Sequence, residues 1–248
     1  MKKFGLIGCP LSHSFSQKYF SEKFNNEGIT DCEYSNYALE SIELLPNLIK
    51  NNKELVGLNV TIPYKEQVIP YLDEIDASAK EIGAVNTIKI TRIGENYKLK
   101  GYNSDVYGFR KPLEEHINEK HKKALILGTG GASKAVAWVL KNLDISYSFV
   151  SRTPKAEHDF AYEDLTGEII AEHNLIVNTS PIGMYPNVKQ APNLPYCSIT
   201  SNHILYDLVY NPEKTRFLKK GASKKATLLN GLPMLFLQAE KSWEIWGA

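Results

Sequence analysis

The stretch from Lys123 to Arg152 constrains this chain most. An apolar run, Ala124-Leu125-Ile126-Leu127, breaks into Gly128-Thr129-Gly130-Gly131-Ala132-Ser133 and passes into a helical pattern. That order reads strand, glycine turn, helix. Gly128 and Gly130 permit a tight turn and close backbone approach to a pyrophosphate, whose charge the free N–H groups and dipole of the helix start favour. The third position of the dinucleotide fingerprint is Ser133 rather than Gly or Ala, so the match is imperfect. A second strand pattern, Ile145 to Val150, ends at Ser151-Arg152-Thr153, roughly 20 residues onward, where an NAD site places an acid for the ribose hydroxyls. Arg152 and, beyond it, Lys155 stand there instead. They are cations suited to a 2′-phosphate, with the Ser151 and Thr153 hydroxyls beside them. The cofactor expected from these residues is NADP. A P-loop is excluded, because Ala135 follows Lys134 where a magnesium-binding hydroxyl is required.

The 248 residues accommodate one large or two modest domains. A net charge of +1 gives no electrostatic case for nucleic acid or an anionic membrane surface as a partner. Cys9, Cys32 and Cys197 lack metal-like spacing and suit reduced thiols, which makes the cytoplasm the expected location. No segment is apolar for long enough to span a bilayer. The start, Met1-Lys2-Lys3 before Leu6-Ile7-Gly8-Cys9, superficially resembles a lipoprotein signal, but its apolar stretch is too short and Pro10 follows at once. It reads as a buried first strand. The histidines show no i, i+4 pairing with a neighbouring acid, so no metal is expected.

Along the chain, strand and helix patterns alternate as in a parallel α/β sheet: strands at Phe4 to Cys9, Cys32 to Tyr37 and Leu55 to Val60, helices at Gln17 to Asn25 and Ile42 to Asn51. Ser12, Ser14 and Ser16 cluster at a helix start, which exceeds what one N-cap requires and suits a ligand carboxylate. Asn59, Thr61 and Lys65 follow a strand, on the side where ligands collect in open sheets. Glu66 to Lys80 reads as a helix interrupted at Pro70, Val85 to Lys100 as a hairpin, and Val106 to Glu119 as a helical connector between domains. Further strands are expected at Leu175 to Val177, ending at Asn178-Thr179-Ser180, and at Ile204 to Leu208, ending at Val209-Tyr210-Asn211-Pro212. Gly231 to Trp246 reads as a final helix with Met234, Leu235, Leu237, Trp243 and Trp246 as core contacts and Gln238 as its conspicuous polar residue.

Together these stretches resemble the shikimate dehydrogenase family, from Gly8 to Ala239. The resemblance is carried by His13-Ser14-Phe15-Ser16, Asn59-Val60-Thr61-Ile62-Pro63-Tyr64-Lys65, Gly83-Ala84-Val85-Asn86-Thr87, Asn103-Ser104-Asp105, the Gly128 to Ser133 turn, Ser151-Arg152-Thr153, Asn178 through Met184, and Gly231 through Gln238-Ala239, all in order. It implies an α/β fold of two domains: an N-terminal open α/β substrate domain (1–105 plus 231–248) and a Rossmann-like NADP-binding domain (106–230). The active site would lie in the cleft between them. The implied activity is reversible NADPH-linked reduction of 3-dehydroshikimate to shikimate, toward aromatic amino acids, by a monomer or homodimer.

Carried onto this chain, the family's pattern makes Lys65 and Asp105 the catalytic pair. Ser14 and Ser16 would hold the substrate carboxylate with Tyr210 nearby, and Asn59, Thr61, Asn86 and Gln238 the ring hydroxyls. Gly128, Thr129, Gly130, Gly131, Ala132, Ser151, Arg152, Thr153, Thr179 and Gly231 would bind the cofactor. The chain departs from the usual pattern at Gln17, Val106 and Ser151, where the family has Pro, Gly and Asn. Two rivals share the resemblance: a quinate/shikimate dehydrogenase with broader substrate or NAD use, and a non-catalytic metabolite-binding relative, which would be expected to have lost Lys65 or Asp105.

Overall fold

The computed structural model describes residues 1–11 and 15–247. They form two compact units, Met1–Ser104 with Ala239–Ala248, and Asp105–Gln238.

In the first unit, β1 (Lys2–Gly8), α1 (Phe15–Glu27), β2 (Cys32–Ala38), α2 (Leu45–Asn51) and β3 (Leu55–Val60) wind as the alternating pattern predicts. α3 (Tyr64–Gln67), β4 (Glu74–Ile75), α4 (Ala77–Ile82) and the hairpin β5 (Thr87–Ile93) and β6 (Asn96–Tyr102) follow. The sheet order is β2-β1-β3-β5-β6-β4, with β1 parallel to β2 and β3, and β5 antiparallel to its neighbours. Side chains alternate across β1. Phe4 and Leu6 enter an aromatic cluster with Phe20, Tyr34 and Trp246, while Ile7 joins Leu45, Leu58 and Ile88 on the opposite face.

The helix expected over Glu66 to Lys80 does not form as one element. Pro70, lacking an N–H, falls in a 3₁₀ turn (Ile69–Tyr71). The chain then leaves to pair β4 with β6, and Asp73 takes the Leu99 N–H on its carboxylate at 2.7 Å. Asp76 restarts the helix by accepting the Ser78 N–H at 3.0 Å.

In the second unit, α5 (Asp105–Glu114), β7 (Lys123–Leu127), α6 (Gly131–Asn142), β8 (Ser146–Ser151), β9 (Phe160–Ala161), α7 (Gly167–Glu172), β10 (Leu175–Asn178), β11 (Ile204–Asp207), α8 (Arg216–Ala222), β12 (Thr227–Leu229) and the start of α9 (Gly231–Trp246) enclose a parallel sheet. Its order is β12-β11-β10-β7-β8-β9, so direction reverses beside β7 and the glycine turn sits at the switch point. β7 is apolar from Ala124 to Leu127 because both faces are covered: Ala124 and Ile126 face one core, Leu125 and Leu127 the other. The helix expected as a connector is built into this unit, with Phe109 and Leu113 fully buried. α9, expected whole in the first domain, divides at Gln238: Met234 belongs to the second unit's core and Trp246 to the first's. No helix among the described residues is long and apolar enough to cross a membrane.

Candidate active site

In the first unit, polar residues gather where β1 and β3 end and β5 begins. The Thr61 N–H donates to the Ile7 carbonyl at 3.0 Å, and the Val60 N–H to the Asn86 carbonyl at 2.8 Å. The Val85 N–H donates to the Lys65 carbonyl at 2.7 Å, which fixes the backbone under that half-buried lysine. Tyr64 beside it is buried and donates its hydroxyl to the Leu39 carbonyl at 2.6 Å. Asn59 lies opposite Thr87 in the β3–β5 ladder, so their side chains share a face. The Asn59 amide is heavily engaged within the unit. Its Oδ1 accepts the Tyr34 hydroxyl at 2.8 Å, and its Nδ2 faces Ser242 Oγ at 2.9 Å, Thr87 Oγ1 at 3.4 Å and the Asn86 carbonyl at 3.4 Å. Asn86 Oδ1 accepts the Ser104 N–H at 2.7 Å and the Thr87 and Ser104 hydroxyls at 3.0 and 3.1 Å. Ser16, half-buried on α1, donates its hydroxyl to the Tyr34 phenol, whose ionisation burial pushes far up. Ser14 lies outside the described residues.

In the second unit, the turn after β7 has Gly128 at φ +110°, a conformation that L side chains rarely adopt. Gly130 precedes α6, and a Cβ there would meet no protein atom within 4 Å. Its glycine therefore leaves open space rather than fitting a neighbour, as close approach of a pyrophosphate to Gly128, Thr129, Gly130, Gly131 and Ala132 requires. Ser133, the irregular fingerprint position, is buried and donates its hydroxyl to the Gly130 carbonyl at 2.6 Å, so it closes the turn from within. Thr179 directly follows β10, with its hydroxyl on the Leu127 carbonyl at 2.8 Å. Gly231 starts α9 so close to Leu208 that a Cβ would lie 2.1 Å from its carbonyl oxygen. Ser151 closes β8 with its hydroxyl buried, whereas Arg152 and Thr153 are exposed. The loop bearing Arg152 and Lys155 is pinned by Asp159, whose carboxylate accepts the Phe149 and Ala156 N–H groups at 3.1 Å and that of Lys155 at 3.4 Å.

Asp105 is buried at the start of α5, and Gln238, half-buried on α9, donates to the Leu235 carbonyl at 2.9 Å. Tyr210 is exposed beyond β11, on a loop held by the buried Asp207. That carboxylate accepts the Thr215 hydroxyl at 2.6 Å, Asn178 Nδ2 at 2.9 Å and the Val209 N–H at 3.1 Å. Burial nevertheless outweighs these bonds and pushes Asp207 up to about 6. Between pH ~4 and ~6 the folded chain therefore holds a proton that the unfolded chain has released, and stability from this group falls as pH rises through that window. Asp207→Asn abolishes this dependence. In urea unfolding, the stability of the unmodified protein relative to the variant is expected to decline by up to roughly 2 kcal/mol from pH 4.5 to 7. A difference that stays flat with pH would show that Asp207 ionises normally.

The sequence assigned no role to Tyr34, Thr87, Ser104, Asp207 or Ser242. Thr87 and Ser104 sit inside recognisable motifs, and Ser242 lies one helical turn beyond Gln238, which is the signal available for it. Tyr34 and Asp207 carry no local mark.

Residues 6–88 match the family of shikimate dehydrogenase substrate binding domains. The NADP(+)-dependent shikimate dehydrogenase of Halothermothrix orenii is 38% identical over 268 residues, covering 98% of this chain and 89% of the relative. A crystal structure of a shikimate dehydrogenase in complex with NADP+ superposes with a TM-score of 0.87 at 35% identity, over 100% of this chain and 91% of that one. The Thermus thermophilus enzyme, crystallised with NADP(H) and shikimate, gives 0.84 at 31% identity, over 99% and 93%. With similarity of this extent running through both units, the chain belongs to the shikimate dehydrogenase family.

Proposed function

We propose that this chain is an NADP-dependent shikimate dehydrogenase, reversibly reducing the ring ketone of 3-dehydroshikimate to the shikimate alcohol on the route to aromatic amino acids. The observation that carries the proposal is the near full-length similarity to enzymes of that activity. Ser14 and Ser16 bind the substrate carboxylate with Tyr210. Thr61, Asn86 and Gln238 bind ring hydroxyls, and Asn59 serves them with the capacity its internal bonds leave. The Gly128 to Ala132 turn and α6 hold the pyrophosphate, Arg152 and Thr153 with Ser151 hold the 2′-phosphate end, and Thr179 and Gly231 border the cofactor. NADPH supplies the hydride when bound. Lys65 stabilises the oxygen that becomes an alkoxide and delivers its proton, while Asp105 orients the ammonium. The first unit supplies most of the substrate contacts and the second the cofactor contacts. The enzyme works in the cytoplasm as a monomer or homodimer, without a metal.

The test is the initial rate of reduced-cofactor formation with shikimate and with quinate, each paired with NADP and with NAD. Turnover confined to shikimate and NADP is the expected result. Turnover of quinate or preference for NAD assigns the chain to the broader branch, and no turnover with any pair would leave a metabolite-binding protein.

A further inference from the structure

α9 buries a stripe of Ala239, Ser242 and Trp246 against the face of the first unit's sheet that carries Phe4, Leu6 and Asn59. Ser242 is the polar member of that stripe and is fully buried. Its Oγ stands 2.9 Å from Asn59 Nδ2, 2.8 Å from Thr87 Oγ1 and 3.1 Å from Ser104 Oγ. The proton directions follow from two obligatory groups. The Ser104 backbone N–H can only donate, so the Asn86 atom facing it is the oxygen. The Asn86 carbonyl can only accept, so the Asn59 atom facing it is the nitrogen.

One consistent assignment then runs in a single direction. Ser16 donates to Tyr34, Tyr34 to Asn59 Oδ1, Asn59 Nδ2 to Ser242, Ser242 to Thr87, and Thr87 to Asn86 Oδ1. Aligned bonds of this kind polarise one another, and their burial makes a missing member costly. The chain ends by holding the Asn86 oxygen inward, which turns its NH₂ group the other way as a fixed donor.

We propose that Ser242 is a positioning residue for substrate recognition: its hydroxyl joins Asn59 to Thr87 and thereby fixes the Asn86 amide that binds a ring hydroxyl. The inference rests on the shikimate dehydrogenase function proposed above. It also makes the helix that carries Gln238 supply two distinct parts of recognition, one by contact and one through a relay.

Ser242→Ala removes the acceptor of Asn59 and the donor to Thr87 while adding no bulk. Its expected effect is a rise of about tenfold in the KM and Kd for shikimate, with kcat and the KM for NADP little changed. Thr87→Val, nearly isosteric, removes the relay's own donor to Asn86 Oδ1 while leaving that of Ser104, and gives the same pattern, which guards against a fold defect in either variant alone. In an Asn86→Ala background, Ser242→Ala has no further effect on shikimate affinity, because the group it positions is gone. Unchanged shikimate affinity in both single variants overturns the proposal, as does a full additional loss in the Asn86→Ala background. Calorimetric titration of the unmodified protein with shikimate separates the two levels. Absence of binding overturns the functional reading and this inference together, whereas normal binding with unaltered variants overturns the inference alone.

Discussion

Replacing Lys65 by alanine is expected to lower kcat by about 10²–10⁴-fold, the range typical of a lost proton-transfer group, while shikimate affinity stays close to that of the unmodified protein. The separation of the two effects follows from where the lysine is anchored. Its carbonyl receives the Val85 N–H and its neighbour Tyr64 is bonded to Leu39, so the backbone there is held by groups that the substitution leaves in place. What disappears is a charge that matters most when the ketone oxygen becomes an alkoxide, and an interaction stronger in the transition state than in the ground state acts on kcat. Lys65→Arg should not restore the rate, because guanidinium keeps its proton while carrying a similar charge. Steady-state kcat and an independent shikimate Kd for both variants make the measurement. A large loss of affinity with kcat preserved would make Lys65 a binding residue.

The second large effect is on cofactor choice. Arg152→Gln is expected to raise the KM for NADP by about 10- to 100-fold and to leave that for NAD nearly unchanged, since a hydrogen bond to a charged group contributes roughly 1.5–3 kcal/mol. Asp159 pins the loop through three backbone N–H groups, so loss of the Arg152 side chain does not release the segment. Lys155 remains as a second cation and sets the residual preference. Arg152 is exposed, which makes its contribution screened by salt: the NADP preference of the unmodified protein should narrow as ionic strength rises, and that of Arg152→Gln should narrow less. Equal losses for both cofactors would place Arg152 in general support of the loop instead of at the 2′-phosphate.

The two expectations draw on residues of different legibility. The β7 strand, its glycine turn and α6 were evident in the sequence because their signals are local. An unbroken apolar run reports a strand buried on both faces, and glycines mark the turn where a positive φ and open space are needed. The same locality made β1, β3, the β5–β6 hairpin and α9 recognisable; Asn59 lies at the end of β3, Lys65 and Arg152 follow strands, and Asn86 precedes one. The region Glu66 to Lys80 misled because its apolar spacing suits a helix, whereas pairing with β6 and the missing N–H of Pro70 win over that periodicity. Short elements such as β9, α7 and β12 escaped notice because they depend on the edge they join more than on their own residues.

The polar frameworks lie further from local signals. Ser242 and Asn59 are 183 positions apart, and only the packing of α9 on the sheet makes the hydroxyl of one the acceptor of the other. Asp207 resembles an ordinary strand-end acid until burial and three donors surround it, and only then does its ionisation move. Periodicity, turn chemistry and short motifs are properties of neighbours along the chain, so composition and order are enough to set them. Direction of an amide, sharing of a proton and the cost of a buried charge depend on which distant groups are brought within about 3 Å, and that the folded units alone decide.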